Sequence, residues 1–150
     1  MKLATIDISR ILDESKRGVQ LMKRIKEMSE RYDQEGMGLA QKLQELRDKL
    51  QKVNETTPRP LVVKMQRDAQ YFEGQLNQLR QRAQTEISMT VEHYRNLVLD
   101  EVQPFISAYA KEKTLALVLP VGMGQALYVA PEVDITQAIL LAYDKAQTKV

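Results

Sequence analysis

Few residues of this chain are of the types that carry out covalent or acid–base chemistry. The sequence holds one histidine, His93, and no cysteine, which removes thiol catalysis, disulfides and thiolate metal sites. The adjacent carboxylates Asp13 and Glu14, like Asp100 and Glu101, would point to different faces of a helix, whereas a catalytic pair must converge on one substrate atom. We therefore predict that the protein is not an enzyme and has no catalytic residue, no metal site and no cofactor.

The sequence has one short glycine-rich segment, GMG at residues 122–124. It lies between two apolar runs, which favours a tight turn. The phosphate-binding pattern G-x-x-x-x-G-K-[ST] does not occur anywhere in the chain. Whatever work the protein does is therefore expected to proceed without ATP.

The charge distribution is more informative than any catalytic motif. The net charge is +2, but residues 36–85 hold nine basic and five acidic residues, whereas residues 86–150 hold five basic and eight acidic ones. An excess of this size can hold acidic partners weakly, and it is smaller than a dedicated nucleic-acid binder usually shows. The cations that we predict to form a diffuse binding surface are Lys42, Lys49, Lys52, Arg59, Lys64 and Arg67.

Three apolar residues lie outside the regular helical pattern and are candidate contacts for varied partners: Met37, Val63 and Tyr71. Methionine suits such a role because its side chain is flexible and polarizable. Two simpler explanations stay open. The charges can form a solvated helix face with pairs such as Glu45 and Lys49, and each apolar residue can belong to ordinary core packing.

Composition and apolar spacing describe the elements that must position these residues. With 150 residues, 28% charged, 43% hydrophobic and 5% aromatic, the chain is typical of a soluble folded domain rich in long helices. Apolar residues recur at three-four spacing over residues 16–53 and again over 62–102. The segment NETTPRP, residues 54–60, must end the first helix and turn the chain. Two amphipathic helices so joined should pack antiparallel, giving a helical arm at residues 19–104 with its tip at 54–60.

Gly36 and Gly38 lie where the apolar pattern of the first helix slips in phase. Each glycine costs roughly 1 kcal/mol relative to alanine inside a helix. The pair is either a tolerated irregularity or a hinge that lets the arm splay, and both interpretations are kept.

The two chain ends, residues 1–18 and 105–150, are predicted to build a small α+β body. The first residues form a strand, and Asp7 caps a short helix. The runs LALVLP and ALYVA predict a C-terminal β-hairpin, and Asp134-x-x-Gln137 predicts a capping box that opens a closing helix. Three short strands bury too little apolar surface to be stable alone, which predicts an oligomer. The residues predicted to build its body are Leu3, Ile6, Leu115, Leu117, Leu127 and Val129.

The N-terminal sequence MKLATID lacks the charged region and long apolar stretch of a secretory signal. No run of about 18 apolar residues occurs in the chain, so no membrane-spanning helix is predicted. We expect the sequence to be that of a mature or recombinant form.

The order of strand, helical arm, strands and helix resembles the Skp/OmpH-like periplasmic chaperone family over nearly the whole chain. The specific parts are the start, KLATIDISRILDESKRG with Gly18 in a turn, and the end, AKEKTLALVLPVGMGQALYVAPEVDITQAIL with Asp-Ile-Thr at 134–136. The middle matches only in being helical.

The resemblance implies a fold and a function. The fold would be a homotrimer whose intermolecular β body carries three arms around a central cavity. The function would be that of an ATP-independent holdase in the periplasm, which shelters unfolded outer-membrane β-barrel proteins. An anionic membrane surface is a further candidate partner, and no nucleic acid is expected.

Other classes fit the sequence less well. Prefoldin-like subunits place their strands between the two helices, whereas here the strands lie at the chain ends. A nucleic-acid binder would carry more aromatic residues and fewer interspersed acids. A structural coiled-coil tether that binds one folded partner predicts a continuous apolar seam and a compact binding patch, and it is kept as the alternative function.

Overall fold

The computed structural model describes residues 2–122 and 124–147. Within them lie two strands and four helices, which confirms the prediction of long helices with a small sheet. In chain order these are β1 (Leu3–Ile6), α1 (Ile8–Glu14), α2 (Lys16–Gln51), α3 (Arg59–Glu112), β2 (Leu117–Pro120) and, after a 3₁₀ turn at Pro131–Val133, α4 (Thr136–Gln147).

The chain divides into two compact units. The terminal unit combines Met1–Ile25 with Met89–Val150, and the middle unit is Lys26–Ser88. The terminal unit contains both strands, α1 and α4. It also contains the start of α2, up to Ile25, and the end of α3, from Met89. The middle unit contains the remainder of α2 and α3 and the loop that joins them.

In the terminal unit, β1 and β2 pair in parallel, with Leu3 opposite Leu117 and Ile6 opposite Pro120. Two further backbone bonds of 2.8 Å extend the pairing at either end, from the Ala116 and Val121 N–H groups to residues of the N-terminal segment. Parallel strands need a long crossover connection. Here the helices α1, α2 and α3 supply it, so strands from opposite ends of the chain become neighbours.

The predicted C-terminal β-hairpin is wrong. LALVLP contains β2, but residues 124–130 form no strand, and the side chains of Leu127 and Tyr128 are 107% and 81% exposed. The turn predicted at 122–124 includes Met123, which lies outside the described residues. Pairing with β1 places β2 beside the core, and the apolar alternation of LALVLP and ALYVA carries no information about a distant partner.

A close backbone approach joins α1 to α2. Asp7 caps α1 as predicted, since its carboxylate accepts the Arg10 N–H at 3.2 Å. Ser15 is fully buried between the helices, and its hydroxyl accepts the Gly18 N–H at 2.9 Å. Gly18 passes the backbone of Leu12 so closely that a Cβ there would lie 1.7 Å from the Leu12 carbonyl oxygen. Only glycine fits this position.

The start of α4 ties the two chain ends together. The Asp134 carboxylate accepts the Thr136 backbone N–H at 2.9 Å, and the Thr136 hydroxyl accepts the Asp7 N–H at 2.9 Å. The predicted capping box with Gln137 is therefore wrong, because α4 begins at Thr136 and the carboxylate is occupied by that residue. The Asp-Ile-Thr segment instead links the C-terminal helix to the first strand.

One hydrophobic core fills the terminal unit. Its side chains come from β1, α1, the start of α2, the end of α3, and α4. Neither end of the chain can therefore build this core alone. Its buried members are Ala4, Ile6, Ile8, Ile11, Leu12, Leu21, Val98, Val102, Ile106, Ile135, Ile139, Leu140 and Tyr143.

In the middle unit, α2 ends at Gln51 and α3 begins at Arg59. The side-chain oxygen of Asn54 accepts the Thr56 N–H at 2.9 Å, which organises the loop between them. The loop closes earlier than predicted, because Arg59 and Pro60 belong to the first turn of α3. Proline is tolerated there, since an N–H in the first turn of a helix has no intrahelical partner.

Candidate functional site

The middle unit holds together through an apolar stripe on each helix. Leu43 of α2 and Leu79 of α3 are buried, and Phe72 of α3 is half-buried. The Lys42 ammonium lies 5.6 Å from the centroid of the Phe72 ring, close enough for a cation–π contact. The apolar spacing in the sequence predicted this seam correctly.

Polar side chains join the two helices along the edge of the seam. The Tyr32 hydroxyl donates to the Glu86 carboxylate, and the Glu35 carboxylate pairs with Arg82 at 3.5 Å. Further along, the Arg47 guanidinium lies 3.5 Å from a Glu73 oxygen. As residue numbers rise along α2, those of the partners fall along α3. Exposed ion pairs of this kind contribute at most about 1 kcal/mol each, so they orient the helices more than they stabilise them.

One of these contacts changes an ionisation equilibrium. The hydrogen bond to Glu86 raises the pKa of the Tyr32 phenol, and burial of the hydroxyl adds to the effect. The Arg82 guanidinium, 5.8 Å from the ring centroid of Tyr32, acts in the opposite direction. The phenol therefore stays protonated to a higher pH than a free tyrosine and donates to Glu86 across the two helices.

All six cations predicted to form the binding surface have exposed side chains. Within residues 2–122 and 124–147 none of the six makes a salt bridge, although Lys42 contacts Phe72. Two other basic residues of the same unit, Arg47 and Arg82, do have carboxylate partners. The six are thus available to an external partner, and their role in binding stays a prediction.

The three predicted apolar contacts also lie at the surface. Met37, Val63 and Tyr71 are 72%, 37% and 61% exposed. Sequence reasoning missed Leu61, which is likewise exposed and lies in the first turn of α3. Its position just after two prolines hid it from a search for helical periodicity.

The side of α3 that faces away from α2 carries a second stripe of side chains, separate from the seam. Val63, Arg67, Tyr71 and Gly74 follow one another at spacings of four, four and three residues, which places them on one helix face. All four are exposed, and a Cβ on Gly74 would meet no atom within 4 Å. This face mixes apolar and cationic groups, and its Tyr71 ring lies 5.4 Å from that of the neighbouring Phe72.

The two candidate hinge glycines lie within a continuous helix, since α2 runs from Lys16 to Gln51 without a break. Gly36 and Met37 help to line a groove of about 290 Å³ along the middle unit. A Cβ on Gly36 would lie 3.7 Å from a methyl carbon of Leu79, an ordinary contact distance, and a Cβ on Gly38 would meet nothing within 4 Å. Neither glycine is required by packing, and the hinge stays a prediction.

The terminal unit exposes apolar side chains around its sheet. Of the residues predicted to build the oligomer body, Leu3, Leu117 and Leu127 are exposed, Leu115 and Val129 are half-buried, and Ile6 lies in the core. Sequence reasoning missed two exposed neighbours, Leu119 and Tyr128. An apolar groove of about 470 Å³ runs beside β2, between the strand and α3.

A partly buried polar network joins three helices of the terminal unit. The Tyr143 hydroxyl donates to the Glu101 carboxylate, which also accepts from Arg17 at 3.4 Å. Burial of the phenol raises the pKa of Tyr143, and the hydrogen bond to Glu101 raises it further. The network joins α2, α3 and α4 within the terminal unit.

His93 is exposed on α3 with its ring 5.9 Å from that of Tyr94. No three metal-ligating side chains gather in the part of the chain that the structure describes. Across the same residues, no helix has both the length and the apolar character to cross a membrane.

Comparison with known proteins gives one family and one solved fold. A family model described as outer membrane protein (OmpH-like) matches residues 2–143. A crystal structure from Caulobacter crescentus, described provisionally as an outer membrane chaperone (OmpH-like), is similar with a TM-score of 0.76. The similarity covers 96% of this chain and 84% of the other at 18% sequence identity, which shows a common fold. No curated protein matches the sequence significantly.

Proposed function

This chain belongs to the OmpH-like family of outer membrane proteins, and on that premise we propose that it is an ATP-independent holdase for unfolded outer-membrane β-barrel proteins. A holdase must bind many different segments weakly and prevent them from meeting one another. Such a protein needs dispersed, adaptable contacts rather than one deep pocket. It uses no chemical step, so the sparse catalytic residues of this chain are no obstacle.

The observation that carries the proposal is the exposure of the predicted contact surface. Nine side chains of the middle unit, six cationic and three apolar, are all accessible to a partner. Cations attract the acidic residues of an unfolded client over several ångströms, while apolar side chains cover its exposed apolar groups. Each contact is weak, so a client can rearrange while it stays bound.

The active form in this proposal is a homotrimer with antiparallel helical arms around a cavity. The exposed apolar residues of the terminal unit support it, because burial of a leucine side chain contributes about 1.5 to 3 kcal/mol. Leu117, Leu119, Leu127 and Tyr128 would each gain from contact with another copy. The segment 126–130 is apolar and has no strand partner among the residues that the structure describes, so it is suited to pair across an interface.

The proposed location is the periplasm, where such clients pass between membranes. The basic surface would also permit weak binding to an anionic membrane, as a secondary interaction. The excess of cations in residues 36–85 supports binding of an unfolded client and also binding to an anionic membrane. The two interactions differ in how they depend on salt and on lipid.

The deciding experiment combines an aggregation assay with a mass measurement. A urea-denatured porin is diluted into buffer with and without the protein, in the absence of nucleotide, while light scattering reports both aggregation and the mass of soluble complexes. We expect suppressed aggregation and a complex containing three copies of the chain. A monomeric protein, or porin aggregation at an unchanged rate, would refute the proposal.

One observation favours a coiled-coil tether as a second candidate. The helix α2 is unbroken through Gly36 and Gly38, as a continuous seam requires. A tether would bind a single folded partner and leave denatured porin to aggregate. The same assay therefore separates the two functions.

A further inference from the structure

The face of α3 near its start that points away from α2 combines apolar and cationic side chains at the surface. It is apolar through Pro60, Val63 and Tyr71, and cationic through Lys64 and Arg67. All five side chains are exposed. The opposite side of the same helix already packs against α2, so this face is not needed to hold the unit together.

The face carries a shallow, open groove. A groove of about 640 Å³ is lined by Arg59, Pro60, Val63, Lys64, Arg67 and Asp68. Grooves of roughly 300 to 1,000 Å³ accommodate a small ligand or a few side chains of a peptide. The groove therefore has room for a short segment of another chain.

The charges of the groove select the kind of segment. Arg59, Lys64 and Arg67 face one carboxylate, Asp68, and in the part of the chain that the structure describes none of the three cations makes a salt bridge. A second copy docked through the same face would bring like charges together, which is unfavourable. Charge complementarity instead requires an acidic partner.

We propose that this groove is a defined docking site for short segments of an unfolded client in which leucine or aromatic side chains alternate with aspartate or glutamate. The apolar side chain packs on Pro60 and Val63, and the flanking carboxylates accept charge-assisted hydrogen bonds from Lys64 and Arg67. The inference rests on the proposed function and localises part of it: capture is diffuse along α2 but has one preferred site at the start of α3.

The test measures peptide binding to the full-length protein by fluorescence anisotropy at low salt. The probe is a labelled, unstructured peptide that alternates aspartate with leucine and phenylalanine, and its control has asparagine for aspartate. The double variant Lys64→Gln with Arg67→Gln should bind the aspartate peptide about fivefold more weakly. The matched pair Lys23→Gln with Lys26→Gln removes the same charge from exposed positions of α2 and should change binding less than about twofold.

The apolar half of the site has its own matched comparison. Val63→Ser should weaken binding of both peptides, whereas Val19→Ser, at another exposed valine, should leave it unchanged. Circular dichroism of each variant establishes that helix content is retained. Loss of binding only in the charge variants would contradict the packing of an apolar side chain in the groove.

Three results would overturn the site. If the Lys64/Arg67 and Lys23/Lys26 double variants lost peptide affinity equally, binding would depend on the general positive charge of the protein and not on this groove. Loss of binding to phosphatidylglycerol vesicles with unchanged peptide binding would assign the face to a membrane. A change in oligomer mass in the Lys64/Arg67 variant would assign it to a second copy.

The porin assay separates these outcomes from failure of the proposed function. A protein that suppresses porin aggregation but does not bind the aspartate peptide disproves the docking site and leaves the holdase intact. A protein that fails with porin disproves both.

Discussion

Gly18 and Leu12 approach one another more closely than any side chain would allow: a Cβ on Gly18 would lie 1.7 Å from the Leu12 carbonyl oxygen and 2.5 Å from the carbonyl carbon. Neither partner can move freely. Leu12 belongs to the core of the terminal unit, and the Gly18 N–H is held by the buried Ser15 hydroxyl. The corner between α1 and α2 therefore depends on the absence of one methyl group.

Gly18→Ala should destabilise the protein by at least about 3 kcal/mol, because the new Cβ must displace backbone rather than a flexible side chain. Chemical denaturation followed by circular dichroism measures the loss. Gly38→Ala is the matched control, since its Cβ meets nothing within 4 Å. A Gly18→Ala variant as stable as the wild type would show that the corner can open at little cost.

Tyr143→Phe removes the hydrogen bond to Glu101 but keeps the ring that packs edge-on against Phe105 at 5.9 Å. We expect a loss of about 1 kcal/mol in the free energy of unfolding, because Glu101 retains Arg17 as a partner. A loss of more than about 3 kcal/mol would mean that the ring itself had moved.

The same pair predicts a pH dependence. Burial, and then the hydrogen bond to Glu101, raise the pKa of Tyr143 above the ordinary value of about 10. The folded state thus favours the protonated phenol, and protonation therefore stabilises the fold. This stabilisation is complete below about pH 10 and is lost as the pH rises through the pKa of Tyr143 in the folded protein. Wild type should lose stability more steeply above about pH 10 than Tyr143→Phe, and parallel curves would contradict the assignment.

Thr114 is strained at the end of α3. Its φ of 53° lies in the left-handed region, which β-branched residues rarely adopt, and the Leu115 N–H donates to the Ala110 carbonyl at 2.8 Å as in a glycine-terminated helix. Thr114→Gly should raise the free energy of unfolding by about 1 kcal/mol. Thr114→Ala, which keeps a Cβ, should gain less. A glycine variant less stable than wild type would contradict strain at this position.

The hinge interpretation of Gly36 and Gly38 can be tested by stiffening the helix. Replacing both by alanine should stabilise α2 by roughly 1 kcal/mol per site, since neither Cβ would clash. If the arm must splay during capture, the double variant will suppress porin aggregation less well despite its greater stability. Unchanged suppression would identify the glycines as a tolerated irregularity.

The electrostatic part of client capture should depend on salt. Replacing Lys42, Lys49, Lys52 and Lys64 by glutamine is expected to weaken porin binding about tenfold near 20 mM salt and little near 0.5 M, where the Debye length falls to a few ångströms. Affinity that falls equally at all salt concentrations would exclude an electrostatic grip. The matched control removes four exposed lysines of the terminal unit: Lys2, Lys16, Lys23 and Lys111.

Local sequence was sufficient for the helices and for much of the candidate surface. Three-four spacing identified the seam that holds Leu43 and Leu79, and Asp7 was recognised as a cap because its effect reaches only three residues. Val63 and Tyr71 were selected because they break the spacing of the seam, and both lie at the surface. These features arise from interactions within one or two helical turns, which a single segment of sequence contains.

The remaining features of the fold depend on contacts between segments that are far apart in the sequence. The run LALVLP has strand character, but its parallel pairing with β1 depends on where three intervening helices bring it. The partly buried link from Tyr143 through Glu101 to Arg17 likewise depends on chain segments that meet only after packing. The spacing of apolar residues shows whether a segment is a helix or a strand, but it does not show which other segment it packs against. The partner and register of each element are fixed by the free energy of the assembled core.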